Sequence, residues 1–154
     1  MIEKPQITQS QQFDTAVIPL KVPASQIQEV MGPAIQEVLR TIGAQGLSPC
    51  GPLFTFHPKK PDGFFDFEVG IPIKGQVKPS GRVQPGRLPS VKVVRTVYQG
   101  GYEGLAAGWG EFEAWIKAEG LEVSPNLCEF YIRGPESGPD SSRWRTELNR
   151  PVIG

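Results

Sequence analysis

Two stretches of the chain write a carboxylate into an alternating apolar run, each time four residues ahead of a proline. One is "FDFEVGIPI", Phe65 to Ile73, with Glu68 before Pro72; the other is "WRTELNRPV", Trp144 to Val152, with Glu147 before Pro151. Alternation along a strand sends neighbouring side chains to opposite faces. Phe65, Phe67, Val69, Ile71 and Ile73 make one wholly apolar face, which leaves Asp66, Glu68, Gly70 and Pro72 on the other. In the later stretch Trp144, Thr146, Leu148 and Val152 share a face, and Arg145, Glu147, Asn149 and Pro151 oppose them. In "EFYIR", Glu129 to Arg133, an inward Phe130 and Ile132 would turn Glu129, Tyr131 and Arg133 onto the face of Glu147, with Tyr131 beside it. A carboxylate with a phenol as hydrogen-bonding partner can anchor a cation, or activate water as a general acid–base pair. The same pattern also suits a plainly solvated face, on which Arg143, Arg145 and Arg150 would pair with Glu147.

The elements that must position these groups are written twice. A helical stripe over Ala24 to Ala44 aligns Ile27, Val30, Met31, Ile35, Val38, Leu39 and Ile42, and a second over Tyr102 to Glu119 aligns Leu105, Trp109, Phe112 and Ile116. Gly32-Pro33 predicts a kink in the first, or two short helices. Each stripe ends in Gly-Leu, "AQGL" and "AEGL", with the glycine suited to a left-handed cap, and Ser-Pro follows in both halves. "LFTFH", Leu53 to His57, then answers "EFYIR", and a polar Gly/Pro turn leads into each carboxylate strand. An alternating strand precedes each helix, Thr15 to Val22 and Val91 to Tyr98. The expected architecture is a single α+β domain over residues 1–154: a strand–helix–strand–strand repeat over 13–74, a Gly/Pro-rich connection over 75–90 and a second repeat over 91–154, with hairpins closing each repeat.

With 154 residues the chain has the size of one ordinary domain, and 16 basic and 16 acidic side chains cancel, so no global field draws it to nucleic acid or anionic membrane. No apolar run approaches membrane-spanning length and no leader is recognisable, which points to a cytoplasmic protein. Cys50 and Cys128 are read as buried free thiols, and one histidine with two cysteines argues against a zinc site. No nucleophile motif, phosphate loop or metal cluster is visible, and no cofactor is expected. "GGYEG", Gly100 to Gly104, is read as the turn into the second helix, His57 as a surface or hairpin histidine, and Trp115 as core.

"YQGGYEGLAAGWGEFEAWIKAEGL", "CEFYIRGP…RWRTELNRPV" and "GPLFTFHPKKPDGFFDFEVGIPI" together resemble the gyrase-inhibitory-protein-like (GyrI-like) small-molecule-binding domain, also the effector-binding part of bacterial transcription activators. The resemblance covers essentially the whole chain. It implies two strand–helix–strand–strand units related by a pseudo-twofold axis, helices over an antiparallel sheet, and a ligand groove between the halves. It also implies that Glu147, in the Thr-Glu-Leu-x-x-Pro-like strand, contacts the ligand, with Tyr131, Tyr98, Tyr102 and Trp109 as aromatic candidates, and Glu68 and Phe56 as candidates from the first half. Phe56 stands where relatives often carry tyrosine, so one phenolic partner is lost. A carboxylate among aromatic rings is costly to leave unpaired, and a lipophilic cation relieves that cost while each ring face adds roughly 0.5–2 kcal/mol.

Three functions are compatible with this reading. The first is a stand-alone module that sequesters or senses amphipathic, aromatic and often cationic small molecules, as multidrug-binding relatives do. The second is a hydrolase of strained, cyclopropane-bearing electrophiles with Glu147 and Tyr131 as its acid–base groups. The third is a protein-binding inhibitor. Direct DNA binding is not expected, because Met1 to Phe13 is too short and polar for a helix-turn-helix.

Overall fold

The computed structural model describes residues 2–59 and 63–153. In chain order the elements are β1 (Gln6–Gln9), β2 (Phe13–Pro23), α1 (Ile27–Ala44), β3 (Ser48–Pro49), β4 (Phe54–His57), β5 (Phe64–Lys74), β6 (Gln84–Leu88), β7 (Lys92–Gln99), α2 (Leu105–Ala118), β8 (Leu127–Arg133) and β9 (Arg145–Pro151). Every named pairing is antiparallel, so the protein is of the α+β class. Two compact units divide the chain: Gln11–Ser90, and Met1–Ser10 together with Val91–Gly154.

In the unit Gln11–Ser90, β5 lies between β2 and β4, and β6 closes the outer edge of β2. The period-two pattern of β5 buries Phe67, Val69, Ile71 and Ile73 under Ala34, Val38 and Ile42 of α1. The helix is one continuous element with Pro33 inside it, not two short helices. Its stripe is shifted from the expected one: Ala34 is fully buried, while Leu39 is 42% exposed. Residues 75–90 do more than connect. Val77 and Val83 enter the core, and Arg82 clasps Glu37 of α1 through its backbone and guanidinium.

The other unit repeats the strand–helix–strand–strand order, with β9 between β7 and β8 and β1 added on the outer edge of β7. Phe112 and Ile116 of α2 pack on Val94, Tyr98 and Leu148, with Trp109 and Trp115 partly buried against them. Both helices end at a glycine in the left-handed region, Gly46 (φ +69°) and Gly120 (φ +68°), and the next amide closes the cap: Leu47 N to Ile42 O at 3.0 Å and Leu121 N to Ile116 O at 3.2 Å. Among the described residues no helix is long and apolar enough to cross a membrane.

Helix α2 approaches its sheet closely because Gly108 carries no side chain. A Cβ there would lie 2.7 Å from Tyr98 Cδ1, whereas one at Gly110 would meet nothing within 4 Å. Alanine at Gly110 should therefore gain the usual helix-propensity increment of about 0.5–1 kcal/mol. Alanine at Gly108 should instead lose about 1–2 kcal/mol, because overpacking outweighs that gain. Paired thermal melts check this, and equal stabilisation by both substitutions would show that Tyr98 yields freely.

Candidate functional site

Strand β8 runs in the opposite phase to the one its residue types suggest. Directly paired residues of antiparallel strands share a face, and the register sets Glu129 against Leu148, Phe130 against Glu147 and Tyr131 against Thr146. Leu148 and Thr146 are fully buried on the α2 side. Glu129 and Tyr131 therefore face the helix, while Ile132 is 47% exposed. The expected adjacency of Tyr131 and Glu147 does not occur; the two lie on opposite faces.

What forms instead is a buried carboxylate within an aromatic cluster. Glu129 is only 9% exposed. Trp109 Nε1, from the first turns of α2, donates to its Oε2 at 2.5 Å, and Tyr131 Oη donates to its Oε1 at 2.6 Å. Tyr102 lies edge-on to Tyr131 with ring centroids 5.9 Å apart, and tilted against Trp144 at 5.1 Å. Burial first, then the charges of Glu136 and Glu129, raise the Tyr102 phenol above its ordinary pKa.

Local sequence accounts for each placement. Glu129 and Tyr131 are two apart on one strand and so share a face. Tyr102 opens a short 3-10 turn ahead of α2, reached through Gly100 at φ +142°, a conformation that favours glycine. Its hydroxyl comes against Gly134, where a Cβ would sit 2.5 Å away. Trp144 is held by Nε1 donating to Gly138 O at 3.1 Å and by Gly100 N donating to Trp144 O at 3.0 Å. The β8–β9 register shifts between Tyr131 and Arg133, the kind of bulge that re-aims a side chain beside a functional site.

The remaining expected residues lie elsewhere. Glu147 sits on the opposite face in a polar network: Arg95 Nε is 3.2 Å from its Oε1, Asn149 Nδ2 donates to the same oxygen at 3.2 Å, and Arg95 Nε donates to Asn149 Oδ1 at 2.7 Å. The arginines expected around it pair otherwise, Arg143 with Asp140, Arg145 with Glu3 and Arg150 with Glu113. Tyr98 is 5% exposed under α2, its hydroxyl donating to Gly101 O at 2.8 Å, which is a packing position. Glu68 is half-buried opposite Phe56, and burial raises its pKa.

His57 is not a surface residue. It is 5% exposed, stacked on Phe67 at 5.1 Å and edge-on to Phe65, with Nε2 3.2 Å from Thr55 Oγ1. Cys50 is exposed rather than buried, and burial, followed by the charges of Glu129 and Glu147, pushes the Cys128 thiol upward. Two members of the cluster, Glu129 and Trp144, were not among the residues expected from sequence. Trp144 carried a signal, since it alternates with Thr146 and Leu148. Glu129 was hidden by the phase of its strand.

The model of the GyrI-like small molecule binding domain matches residues 3–153. No curated protein matches the sequence. Among solved structures, the C-terminal domain of EcmrR superposes with a TM-score of 0.86 at 22% identity, over 97% of each chain. In the EcmrR–DNA complex the TM-score is 0.85 at 22% identity, and the match spans 97% of this chain but 57% of that one. SAV2435 bound to tetraphenylphosphonium gives 0.64 at 17% identity over 99% and 95% of the two chains, and a hydrolase from Listeria innocua gives 0.68 at 16% over 97% and 92%. At these identities the likeness is one of fold.

Proposed function

Because the chain belongs to the GyrI-like small-molecule-binding family, we propose that it binds aromatic, lipophilic cations at Glu129, as a sequestering or sensing module. The observation that carries this reading is a carboxylate 9% exposed among Trp109, Tyr131, Tyr102 and Trp144. Removing a carboxylate from water is expensive, and the indole and phenol donors offset part of that cost. A cation adds charge pairing with the carboxylate, and partly exposed ring faces add cation–π attraction. The tetraphenylphosphonium held by SAV2435 is a ligand of this chemistry. In this reading Glu129, not Glu147, is the anchor, because Glu129 is the carboxylate that lies buried among the aromatic rings, whereas Glu147 sits on the opposite face in a polar network with Arg95 and Asn149.

Titration with tetraphenylphosphonium tests it. Glu129→Gln should weaken binding by about tenfold to a hundredfold, the scale of one charge-assisted contact. Neutral triphenylphosphine oxide should bind both proteins alike, and Glu147→Gln should change little. Loss on Glu147→Gln with none on Glu129→Gln would move the ligand to the opposite face of the sheet.

The 2.6 Å bond between Tyr131 and Glu129 favours a second reading, hydrolysis of an electrophilic ligand. The carboxylate would take the proton of the attacking water and the phenol would steady the departing group. Glu129→Gln should then retain substrate affinity and lose turnover by about 100-fold or more. Absence of product from a panel of strained electrophiles would remove it.

A further inference from the structure

The aromatic cluster has a buried carboxylate, Glu129, and an exposed one, Glu136, with the rings of Tyr131 and Tyr102 between them. We propose that the site selects dications, flat aromatic molecules with a positive charge at each end, one charge lying at Glu129 and the other at Glu136. This rests on the cation-binding reading above and narrows its ligand class.

The turn after β8 sets the place of Glu136. Its Oε1 accepts from Gly134 N at 2.9 Å, and Ser137 Oγ donates to Gly134 O at 2.7 Å, which holds the carboxylate against Gly134. Tyr102 reaches the same point from the turn before α2. A Cβ on Gly134 would lie 2.5 Å from Tyr102 Oη and 3.0 Å from Glu136 Oε2, so the phenol ends beside that carboxylate. At its other side the Tyr102 ring is edge-on to Tyr131, with centroids 5.9 Å apart, and Tyr131 Oη donates to Glu129 Oε1 at 2.6 Å. The order is therefore anion, two aromatic rings, anion. Both charges are felt at Tyr102: after burial, Glu136 and then Glu129 raise its phenol, since an anion nearby disfavours phenolate. A monocation paired with Glu129 answers one of the two charges. A molecule with a cation at each end answers both, and its aromatic body lies against the tyrosine rings between them. The two ends differ in weight. Glu129 is 9% exposed, whereas Glu136 is exposed, so the second contact has the strength of a surface ion pair and weakens with salt.

The test is calorimetric titration of the full chain with matched probes. Methyl viologen carries a charge at each end, and N-methyl-p-tolylpyridinium is its monocationic isostere. A phenylene-extended viologen and its own monocation sample a longer charge separation. The wild type should bind at least one dication about two- to fivefold more tightly than the matching monocation, the scale of one exposed ion pair, and added salt should shrink that preference. Glu136→Gln keeps an oxygen to accept from Gly134 N and removes the charge, and it should erase the preference. Glu119→Gln removes the same charge at the far end of α2 and should leave the preference in place. No preference for either dication in the wild type, an unchanged preference in Glu136→Gln, or an equal loss in Glu119→Gln overturns the selectivity for dications. Glu129→Gln separates the two levels of the argument. Weakening of dication and monocation together upholds the anchor whatever the preference, whereas no effect on any probe, or no binding at all, overturns the anchor and the selectivity with it.

Discussion

Glu113→Ala should destabilise the protein by about 2–4 kcal/mol, with a matching loss of affinity at the Glu129 site. Glu113 on α2 accepts from Arg150 Nη1 of β9, whose side chain is 9% exposed. The same guanidinium donates from Nη2 to Ser124 O at 2.7 Å, and its Nε has no partner among the described residues. Removing Glu113 leaves a buried cation without its counter-charge, which typically costs about 3–5 kcal/mol. The range expected here is lower because the Glu113 side chain is 28% exposed, so water can replace part of it. For a chain of this length the melting temperature should fall by about 2–4 °C per kcal/mol. Glu113 lies one helical turn beyond Trp109, so the ion pair also holds the indole that donates to Glu129. The double variant Glu113→Leu/Arg150→Met should recover most of the stability, since a buried pair can be replaced by apolar packing at little cost. Urea unfolding of the three proteins decides it, and a Glu113→Ala protein as stable as wild type would show that the guanidinium is already satisfied by backbone and water.

The contrast between legible and hidden features follows from which signals were local. Helices were legible because their stripes, glycine caps and turns lie within a few residues of one another. Strand β5 was legible because one face is apolar without exception. β8 was not, because its residue types argue for the wrong phase: Phe130 and Ile132 look like core and Glu129 and Tyr131 like surface, yet Ile132 is 47% exposed and Glu129 9% exposed. Such a conflict between local pattern and tertiary placement is expected where function overrides packing. The pairing register settles the phase, and register is a long-range property. Glu147 misled for a related reason. Its strand was read correctly, with Thr146 and Leu148 inward, but its partner Arg95 comes from β7, far away in sequence. Residues 75–90 read as solvated connection because Val77 and Val83 are isolated among Gly, Pro and Lys, and only the fold brings them under α1. The aromatic cluster draws on the turn before α2, on α2, on β8 and on the residue just before β9, so no single motif could announce it.

Acidification should unfold the protein through His57, and His57→Phe should remove that sensitivity. Burial lowers the His57 pKa from its ordinary 6.5 to about 4, because an imidazolium between Phe65 and Phe67 would be charged in an apolar setting. Above pH 6.5 the ring is neutral in folded and unfolded chains, and its contribution is flat. Between pH 6.5 and 4 the unfolded chain takes up a proton that the folded one refuses, so stability falls as pH falls, and below about 4 the full loss has been reached. A shift of that size corresponds to about 3 kcal/mol. Glu68 acts in the opposite sense: its carboxyl is raised by burial, so its ionisation destabilises the fold as pH rises through the carboxylate range, and acid relieves it. The wild-type profile is therefore the difference of two effects, and the variants separate them. Phenylalanine preserves ring stacking and removes Nδ1, which is buried without a hydrogen-bond partner among the described residues. His57→Phe should match wild type within about 1 kcal/mol at pH 7 and exceed it by about 2–3 kcal/mol at pH 4, on the scale of the linkage just given. Glu68→Gln should lose stability more steeply than wild type on acidification, because the offsetting group is gone. Urea midpoints from pH 8 to 4 measure both, and parallel profiles for wild type and His57→Phe would place the acid sensitivity in other groups.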